Sequence, residues 1–193
     1  MAKKSELENV MKRYIDGGKG RDRLRELLKN ESVDSRYELL MNVKGVEYEL
    51  TGLYEAARNN DLESIRYMLD GFPPEKEYNA LKIQTSIGRT PLHWAAYRGH
   101  SSIITYLLTD LPKQQKYNIL KIQDRCGDTA LHCAASENSV EAYRAIVASV
   151  PYHLLLELLN IKNNDGNSAA DIRPELNDEF SLSIAQGVII TNT

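Results

Sequence analysis

Apolar residues recur along the chain at the spacing of amphipathic helices, and the helices themselves recur at a fixed distance. Between Ser101 and Leu108 the apolar positions are Ile103, Ile104, Leu107 and Leu108. Side chains at this spacing lie on one face of an α-helix. The neighbouring stripes are Leu62, Ile65, Met68 and Leu69, and Val140, Tyr143, Ile146 and Val147. Three related helices are therefore predicted at intervals of 39 residues.

The 39-residue period extends to polar and turn-forming positions without a slip. Residues that recur at this distance are Thr51, Thr90, Thr129 and Ser168, then Ala56, Ala95 and Ala134, then Pro73, Pro112 and Pro151, and then Leu81, Leu120 and Leu159. Each unit reads as a short helix, a turn, a second helix, a third short helical piece and an extended turn. One helix pair cannot bury its own apolar face, so stacked units must share a core. The pattern therefore predicts an all-α solenoid.

Two segments of the chain carry a family resemblance. TPLHWAAYRGH (90–100) and GDTALHCAA (127–135) resemble the T-P-L-H-x-A core of the ankyrin repeat, whose usual period is about 33 residues. The resemblance covers residues 42–172, and each unit here is about six residues longer than the usual pattern. The added residues follow the recurring proline, which suits a helix start, so we expect an added third helix in every repeat. The same addition in three units indicates a structural lengthening.

We expect a single ankyrin-repeat domain with atypical repeats at both ends. The predicted parts are a degenerate N-terminal capping repeat at 1–46, repeats at 47–85, 86–124 and 125–163, and a C-terminal capping repeat at 164–193. The N-terminal cap is indicated by Leu24, which lies 41 residues before Ile65. In the C-terminal cap, Asp171 replaces the histidine of the motif and a second helix is predicted around 176–185.

Composition and charge restrict the class of protein. The chain is 42% hydrophobic and 26% charged, as in an ordinary soluble domain, and no stretch reaches the roughly 20 apolar residues of a membrane span. No secretory signal pattern stands near residue 1. Cys126 and Cys133 are too few for a disulfide framework and read as thiols of a reducing compartment. We expect a soluble cytoplasmic protein, and its net charge of −3 gives no electrostatic footprint for nucleic acid.

The N-terminal segment differs from the rest because it carries an excess of basic side chains. Arg21, Arg23, Arg25 and Lys29 alternate around a helix whose leucines face inward. A solvated outer face of the cap explains this pattern. Weak binding of an anionic lipid or of phosphate by this segment is the alternative.

Two histidines in equivalent positions, His93 and His132, are the first candidates for metal binding or acid–base chemistry. Thr90 and Thr129 stand three residues before them. The ankyrin resemblance implies a structural role instead, in which the histidine and its threonine hydrogen-bond the backbone of the neighbouring hairpin.

Other signals for catalysis are weak. The chain contains no P-loop, G-x-S-x-G or H-E-x-x-H motif, and Cys126, His132 and Cys133 lack the paired spacing of a zinc site. The acidic pairs, Glu55 with Glu63 and Asp124 with Asp128, read as solvated side chains. We therefore expect no enzymatic activity, no cofactor and no metal.

A second group of positions differs from unit to unit. By analogy with ankyrin proteins, these positions are the hairpin tips and the exposed side of each first helix, where a rigid scaffold presents binding groups. The predicted partner-binding residues are Arg58, Asn59, Ser86, Ile87, Arg89, Trp94, Tyr97, Arg98, Arg125, Cys126, Asp128, Cys133, Ser136, Glu137, Asn164, Asp165 and Asn167. The strongest group contains Ile87, Arg89, Trp94, Tyr97 and Arg98, because it combines an exposed aliphatic tip with the aromatic and arginine side chains that are enriched at interface hot spots. The competing interpretation is that Trp94 and Tyr97 only pack against neighbouring hairpins.

The resemblance implies a protein–protein interaction module that acts as an adaptor or scaffold through the concave face of an ankyrin stack. Small proteins that resemble this one include regulatory adaptors of eukaryotic cells and effectors that intracellular bacteria deliver into the host cytosol. We expect a monomer that binds another protein, with dimerisation through the apolar segment HLLLELL (153–159) as an alternative. A regulatory or targeting subunit of an enzyme is the rival function.

Overall fold

A computed structural model describes residues 2–15, 20–42 and 52–175, which form thirteen α-helices and no strand. The helices are α1 (Ala2–Ile15), α2 (Arg21–Leu28), α3 (Val33–Asn42), α4 (Gly52–Arg58), α5 (Leu62–Leu69), α6 (Pro74–Leu81), α7 (Pro91–Tyr97), α8 (Ser101–Thr109), α9 (Lys113–Leu120), α10 (Ala130–Ser136), α11 (Val140–Ala148), α12 (Tyr152–Leu159) and α13 (Ala169–Ile172). The predicted all-α class is confirmed. The helix predicted around 176–185 lies outside the described residues.

The helices keep the period of the sequence. The first helices α4, α7, α10 and α13 begin 39 residues apart, and so do the second helices α5, α8 and α11 and the third helices α6, α9 and α12. The added third helix of each repeat is thereby confirmed. Pro73, Pro112 and Pro151 are the N-cap residues of the third helices, with φ of −65°, −56° and −64°. Proline suits the position before each of these helices because its ring fixes φ near these values.

The chain divides into two compact units, Met1–Pro91 and Leu92–Thr193. In the first unit α1 packs against α2 and α4, α2 and α3 pack against α5, and α3 also packs against α6. In the second unit α8 packs against α11, α9 against α12, and α10 against both α11 and α13. Equivalent helices of consecutive repeats thus lie side by side within each unit, which is how repeats without a core of their own share one. The expected single domain stays a prediction.

The N-terminal end contains a modified repeat. Helices α2 and α3 begin 41 residues before α5 and α6, while α1, of 14 residues, packs on the seven-residue α4. Met11, Tyr14, Leu24 and Leu28 are buried in this part of the chain. The apolar stripe that predicted the cap therefore faces inward.

The recurring columns of the sequence form the core. Ala56, Ala95 and Ala134 are fully buried on the first helices. Ile104 and Tyr143 are buried at equivalent positions of the second helices. Small side chains on the first helices let neighbouring backbones approach closely, and the larger side chains of the second helices fill the space between repeats.

Each third helix is followed by a hairpin turn, at 85–89, 124–128 and 163–167. In the second of these turns, Asp124 N donates to Asp128 O at 2.8 Å and Gly127 N donates to Asp124 O at 2.9 Å. The same two hydrogen bonds close the other turns. The turn glycines Gly88, Gly127 and Gly166 have φ of 80°, 77° and 80°. Glycine is favoured there because side chains rarely adopt this left-handed conformation.

Candidate functional site

His132 connects a first helix to the next hairpin turn. The backbone N–H of Thr129 donates to Nδ1 of His132 at 3.2 Å, so Nδ1 carries no proton and the proton lies on Nε2. Nε2 then donates to the carbonyl oxygen of Asn167 at 3.1 Å. The ring is fully buried, and this burial lowers its pKa although the Asn167 hydrogen bond opposes the shift. Both ring nitrogens of a neutral histidine are therefore occupied by the scaffold.

The equivalent positions follow the same plan. His93 is fully buried, and its Nε2 lies 3.0 Å from the carbonyl oxygen of Asp128. In α13 the histidine is replaced by Asp171, whose Oδ2 accepts hydrogen bonds from the N–H and the hydroxyl of Ser168, both at 2.8 Å. The contact with Lys162, followed by these two hydrogen bonds, lowers the pKa of Asp171. A capping side chain at this position is thus retained in the last repeat.

Several predicted binding residues hold two hairpin turns together. Asn164 N donates to Cys126 O at 3.0 Å, and Asn164 Nδ2 donates to Arg125 O at 2.9 Å. Asn163 Nδ2 donates to the carboxylate of Asp128 at 2.8 Å. Asn164 and Asp128 are therefore engaged in joining the 124–128 turn to the 163–167 turn.

Two of the four acidic side chains that were predicted to be solvated, Glu55 and Asp124, are buried instead, so the prediction is wrong for these two. Asp124 is only 8% exposed, because its Oδ1 accepts hydrogen bonds from Cys126 N at 2.8 Å and from Asp128 N at 3.1 Å. Glu55 is only 2% exposed. It accepts hydrogen bonds from Asn59 Nδ2 at 2.6 Å and from Arg58 Nη1 at 3.4 Å. Arg58 and Asn59, which were predicted to bind a partner, thus contact a buried carboxylate of α4.

Trp94, Tyr97 and Arg98 form an aromatic–arginine cluster at the end of α7. The Trp94 and Tyr97 rings meet edge to face with centroids 5.1 Å apart. The guanidinium carbon of Arg98 lies over both rings, 5.5 Å from the Trp94 centroid and 5.8 Å from the Tyr97 centroid. The two rings are half-buried and Arg98 is exposed. The cluster therefore presents aromatic surface and a positive charge side by side.

The other predicted binding residues differ in accessibility. Exposed residues are Arg125, Cys126, Ser136, Glu137, Asn164, Asp165 and Asn167, and half-buried residues are Ser86, Ile87, Arg89 and Asp128. Cys133 is only 3% exposed, so its placement on the accessible surface was wrong. A cysteine at the position of Trp94 is small enough to be covered by its neighbours. Sequence patterns do not show this difference, since both residues occupy the same position of the repeat.

The basic N-terminal segment is extensively paired with carboxylates, which sequence reasoning missed. Asp61 is buried, and it accepts a hydrogen bond from the Tyr14 hydroxyl at 2.9 Å and pairs with Arg21 at 2.9 Å and with Arg25. Arg23 pairs with two carboxylates of the first unit. Burial alone would raise the pKa of Asp61, but its hydrogen bonds outweigh burial and lower the pKa. Arg21 and Arg25 are half-buried, so the predicted solvated face is wrong for these two residues, and binding of phosphate or lipid by this segment stays a prediction.

A shallow groove of about 300 Å³ lies between α8, α9 and α11. Thr105, Leu108, Lys116, Ala145 and Ser149 contribute to its lining, and Lys116 Nζ donates to Thr109 O at 3.2 Å. Lys116 is the single charged residue among the described lining side chains. Within the described ranges, no three His, Cys, Asp or Glu residues are grouped to hold a metal ion. None of the described helices is long and apolar enough to cross a membrane.

The chain belongs to the ankyrin-repeat family. A family model described as ankyrin repeats (3 copies) matches residues 18–119, which is more than half of the chain. No curated protein matches the chain. The family match begins inside the degenerate cap and ends within α9, yet α10 to α12 continue the same helix order at the same spacing. The repeat architecture therefore extends beyond the matched residues, in the form of an all-α solenoid with lengthened units.

Proposed function

We propose that this protein is an adaptor or scaffold that binds another protein through the aromatic–arginine cluster of α7 and the 124–128 hairpin turn. Ankyrin repeats are generally protein–protein interaction modules. The observation that carries the proposal is a contrast within α7. Leu92, Ala95 and Ala96 are fully buried and recur in the next repeat, whereas Trp94, Tyr97 and Arg98 form an accessible cluster that does not recur.

The physical character of the cluster supports binding. Tryptophan, tyrosine and arginine are the residues most enriched at interface hot spots. The Trp94 and Tyr97 rings already contact each other, so their side chains lose little rotational freedom when a partner covers them. The entropy cost of binding is correspondingly small. The competing interpretation, that the rings only pack within the scaffold, does not account for the exposed Arg98 beside them.

The same surface is suited to a partner inside the cell. Cys126 is exposed and Cys133 is buried, and the two form no disulfide. Thiols at such positions persist in a reducing compartment. A cytoplasmic adaptor, or an effector that acts in the cytosol of a host cell, is consistent with this chemistry.

An affinity pull-down from cell lysate, read by mass spectrometry, tests the proposal. The natural protein is compared with a variant that carries Tyr97→Ala and Arg98→Glu. A matched control carries Tyr152→Ala and Arg144→Glu, the same two changes on α12 and α11, where Tyr152 is 43% exposed and the Arg144 side chain 44%. Circular dichroism and thermal unfolding verify that both variants are folded.

We expect the same proteins to be captured by the natural protein and the control and to be lost with the α7 variant. Parallel captures from eukaryotic and bacterial lysates indicate whether the partner is a host protein. If a captured partner is an enzyme, a change in its activity distinguishes a regulatory subunit from a scaffold. Equal capture by the natural protein and a folded α7 variant would contradict the proposed surface.

A further inference from the structure

We infer that the partner of this surface presents an acidic segment, whose carboxylates bind Arg98 and Arg125. The inference rests on the proposed function and adds the chemistry of the partner to it. Arg98 ends the aromatic–arginine cluster of α7, and Arg125 lies in the 124–128 hairpin turn. Both side chains are exposed.

The two arginines differ from the other arginines of their unit. Within residues 92–175, Arg144 pairs with Glu141 at 3.6 Å, and Arg173 donates to Ala135 O and pairs with Glu175, both at 3.1 Å. Over the same residues, the guanidinium groups of Arg98 and Arg125 make no hydrogen bond and no ion pair with the protein. Their hydrogen-bonding capacity is therefore available to a partner.

The N-terminal unit provides a contrast. There five of the eight arginines, Arg21, Arg23, Arg25, Arg36 and Arg58, pair with carboxylates of their own unit. The unpaired guanidinium groups of residues 92–175 thus coincide with positions that the repeat pattern leaves variable. This coincidence is expected where positive charge is retained for binding.

The aromatic rings orient the guanidinium of Arg98 so that it can bind a carboxylate. A guanidinium that lies over an aromatic ring contacts the ring with its planar face. The five N–H donors of the guanidinium point outward from the edge of that plane and remain available. The contacts with Trp94 and Tyr97 therefore position the group without using its donors. A carboxylate accepts two parallel hydrogen bonds from such an edge, and an apolar neighbour in the partner would cover the rings.

The charge of the surroundings favours a protein over a nucleic acid. Residues 92–193 contain more acidic than basic side chains. Binding of a phosphate backbone gains its affinity from several cations that act together along it, whereas this surface offers two unpaired arginines. Two exposed arginines, of which Arg98 lies over aromatic rings, match a short acidic and apolar peptide instead.

Selection of peptides from a random display library on the full-length protein provides the test. We expect enriched peptides to combine Asp or Glu with a leucine or an aromatic residue. The same selection on a variant with Arg98→Glu and Arg125→Glu should lose this preference. The control is Arg144→Glu, which changes an exposed arginine that already pairs with Glu141, and it should select the same acidic peptides as the natural protein.

Trp94 is the single tryptophan of the chain, so its fluorescence reports occupancy of the cluster directly. A selected acidic peptide should change this emission on titration, and Arg98→Glu should weaken its binding about tenfold or more, the loss of at least one charge-assisted hydrogen bond. Arg98→Lys should weaken binding less, because the charge stays while the planar fork is lost. A higher salt concentration should weaken binding of the acidic peptide to the natural protein, because salt screens the attraction between the charges.

The outcomes separate this inference from the proposed function. Enriched peptides without acidic residues that still depend on Tyr97 would overturn the acidic partner and leave the binding surface intact. Peptides that bind a folded Tyr97→Ala, Arg98→Glu variant equally well would overturn both. A single-stranded oligonucleotide that changes Trp94 emission in an Arg98-dependent manner, with no acidic peptide enriched, would identify a nucleic acid and contradict the inference.

Discussion

His132 Nε2 donates to the carbonyl oxygen of Asn167, 35 positions further along the chain, at 3.1 Å. His93 and Asp128 are also 35 positions apart, and their contact measures 3.0 Å. The bond joins a first helix to the hairpin turn of the next repeat, so His132 stabilises the contact between repeats. It requires a neutral ring, because Nδ1 accepts a hydrogen bond from the Thr129 backbone.

The stability of the protein should therefore depend on pH through His132. Burial lowers the pKa of His132 in the folded state, whereas an unfolded chain has the ordinary value of about 6.5. The unfolded state then binds the proton more readily, so stability is complete above about pH 6.5 and falls as the pH decreases below it. Denaturant unfolding at about pH 7.5 and about pH 5.5 measures this loss.

His132→Gln is the control for this prediction, because glutamine keeps an N–H donor for Asn167 and does not titrate. We expect the variant to be less stable than the natural protein at neutral pH and to lose less stability between the two pH values. An equal loss in both proteins would assign the pH dependence to other groups.

Gly127→Ala and Gly166→Ala should differ strongly although both glycines have positive φ, 77° and 80°. A Cβ at Gly127 would lie 2.7 Å from Asn164 N, whereas a Cβ at Gly166 meets nothing within 4 Å. We expect a loss of about 1 kcal/mol for Gly166→Ala from the backbone conformation alone. Gly127→Ala should cost about 3 kcal/mol, because the neighbouring turn must also move.

Free energies of unfolding from denaturant titration compare the two variants. Gly166→Ala is the matched control, since it makes the same chemical change at the equivalent position of the next turn. Equal losses would mean that the 124–128 turn can shift without disturbing the turn packed against it.

The helices were predictable from the sequence, but the accessibility of individual side chains was not. The period placed α4 to α12 because helix signals and turn prolines repeat with the chain. Trp94 and Cys133 occupy equivalent positions, yet one is accessible and the other buried, because accessibility depends on side-chain volume and on what packs nearby. Asp61 pairs with Arg25, which lies 36 residues earlier in the capping repeat, where the spacing to the next repeat is 41 residues. No local sequence pattern predicts that pairing.

Asp61→Asn should destabilise the N-terminal unit by about 3 kcal/mol, since it removes one partner from a buried ion pair. Asp61 is 3% exposed, and its hydrogen bonds keep its pKa below the ordinary value of about 3.9. Its contribution is therefore present above about pH 4 and is lost as the pH falls further. Unfolding of natural and variant proteins at about pH 7 and about pH 3 should show the difference shrinking.

Asp22→Asn provides the matched control for Asp61→Asn. Its side chain is fully exposed and lies 3.9 Å from Arg25, so its removal should leave the unfolding midpoint nearly unchanged. Comparable losses from the two substitutions would show that burial of Asp61 is not what makes its ion pairs stabilising.

Tyr143→Phe should preserve or increase stability, by about 1 kcal/mol, although it changes a core residue. Tyr143 is 1% exposed, its hydroxyl has no hydrogen-bond partner among the residues that the structure describes, and burial raises its pKa to about 12. A buried polar group without a partner costs about 1 to 3 kcal/mol, and phenylalanine keeps the ring while removing that group. Ile104 and Ile65 occupy the equivalent positions, so the repeat does not require a hydroxyl there.

Tyr14→Phe is the contrasting substitution, because the Tyr14 hydroxyl donates to Asp61 at 2.9 Å and its loss should be destabilising. Denaturant unfolding of both variants decides the question: a clear loss of stability in Tyr143→Phe would mean that this hydroxyl is hydrogen-bonded in solution, with a buried water as its partner.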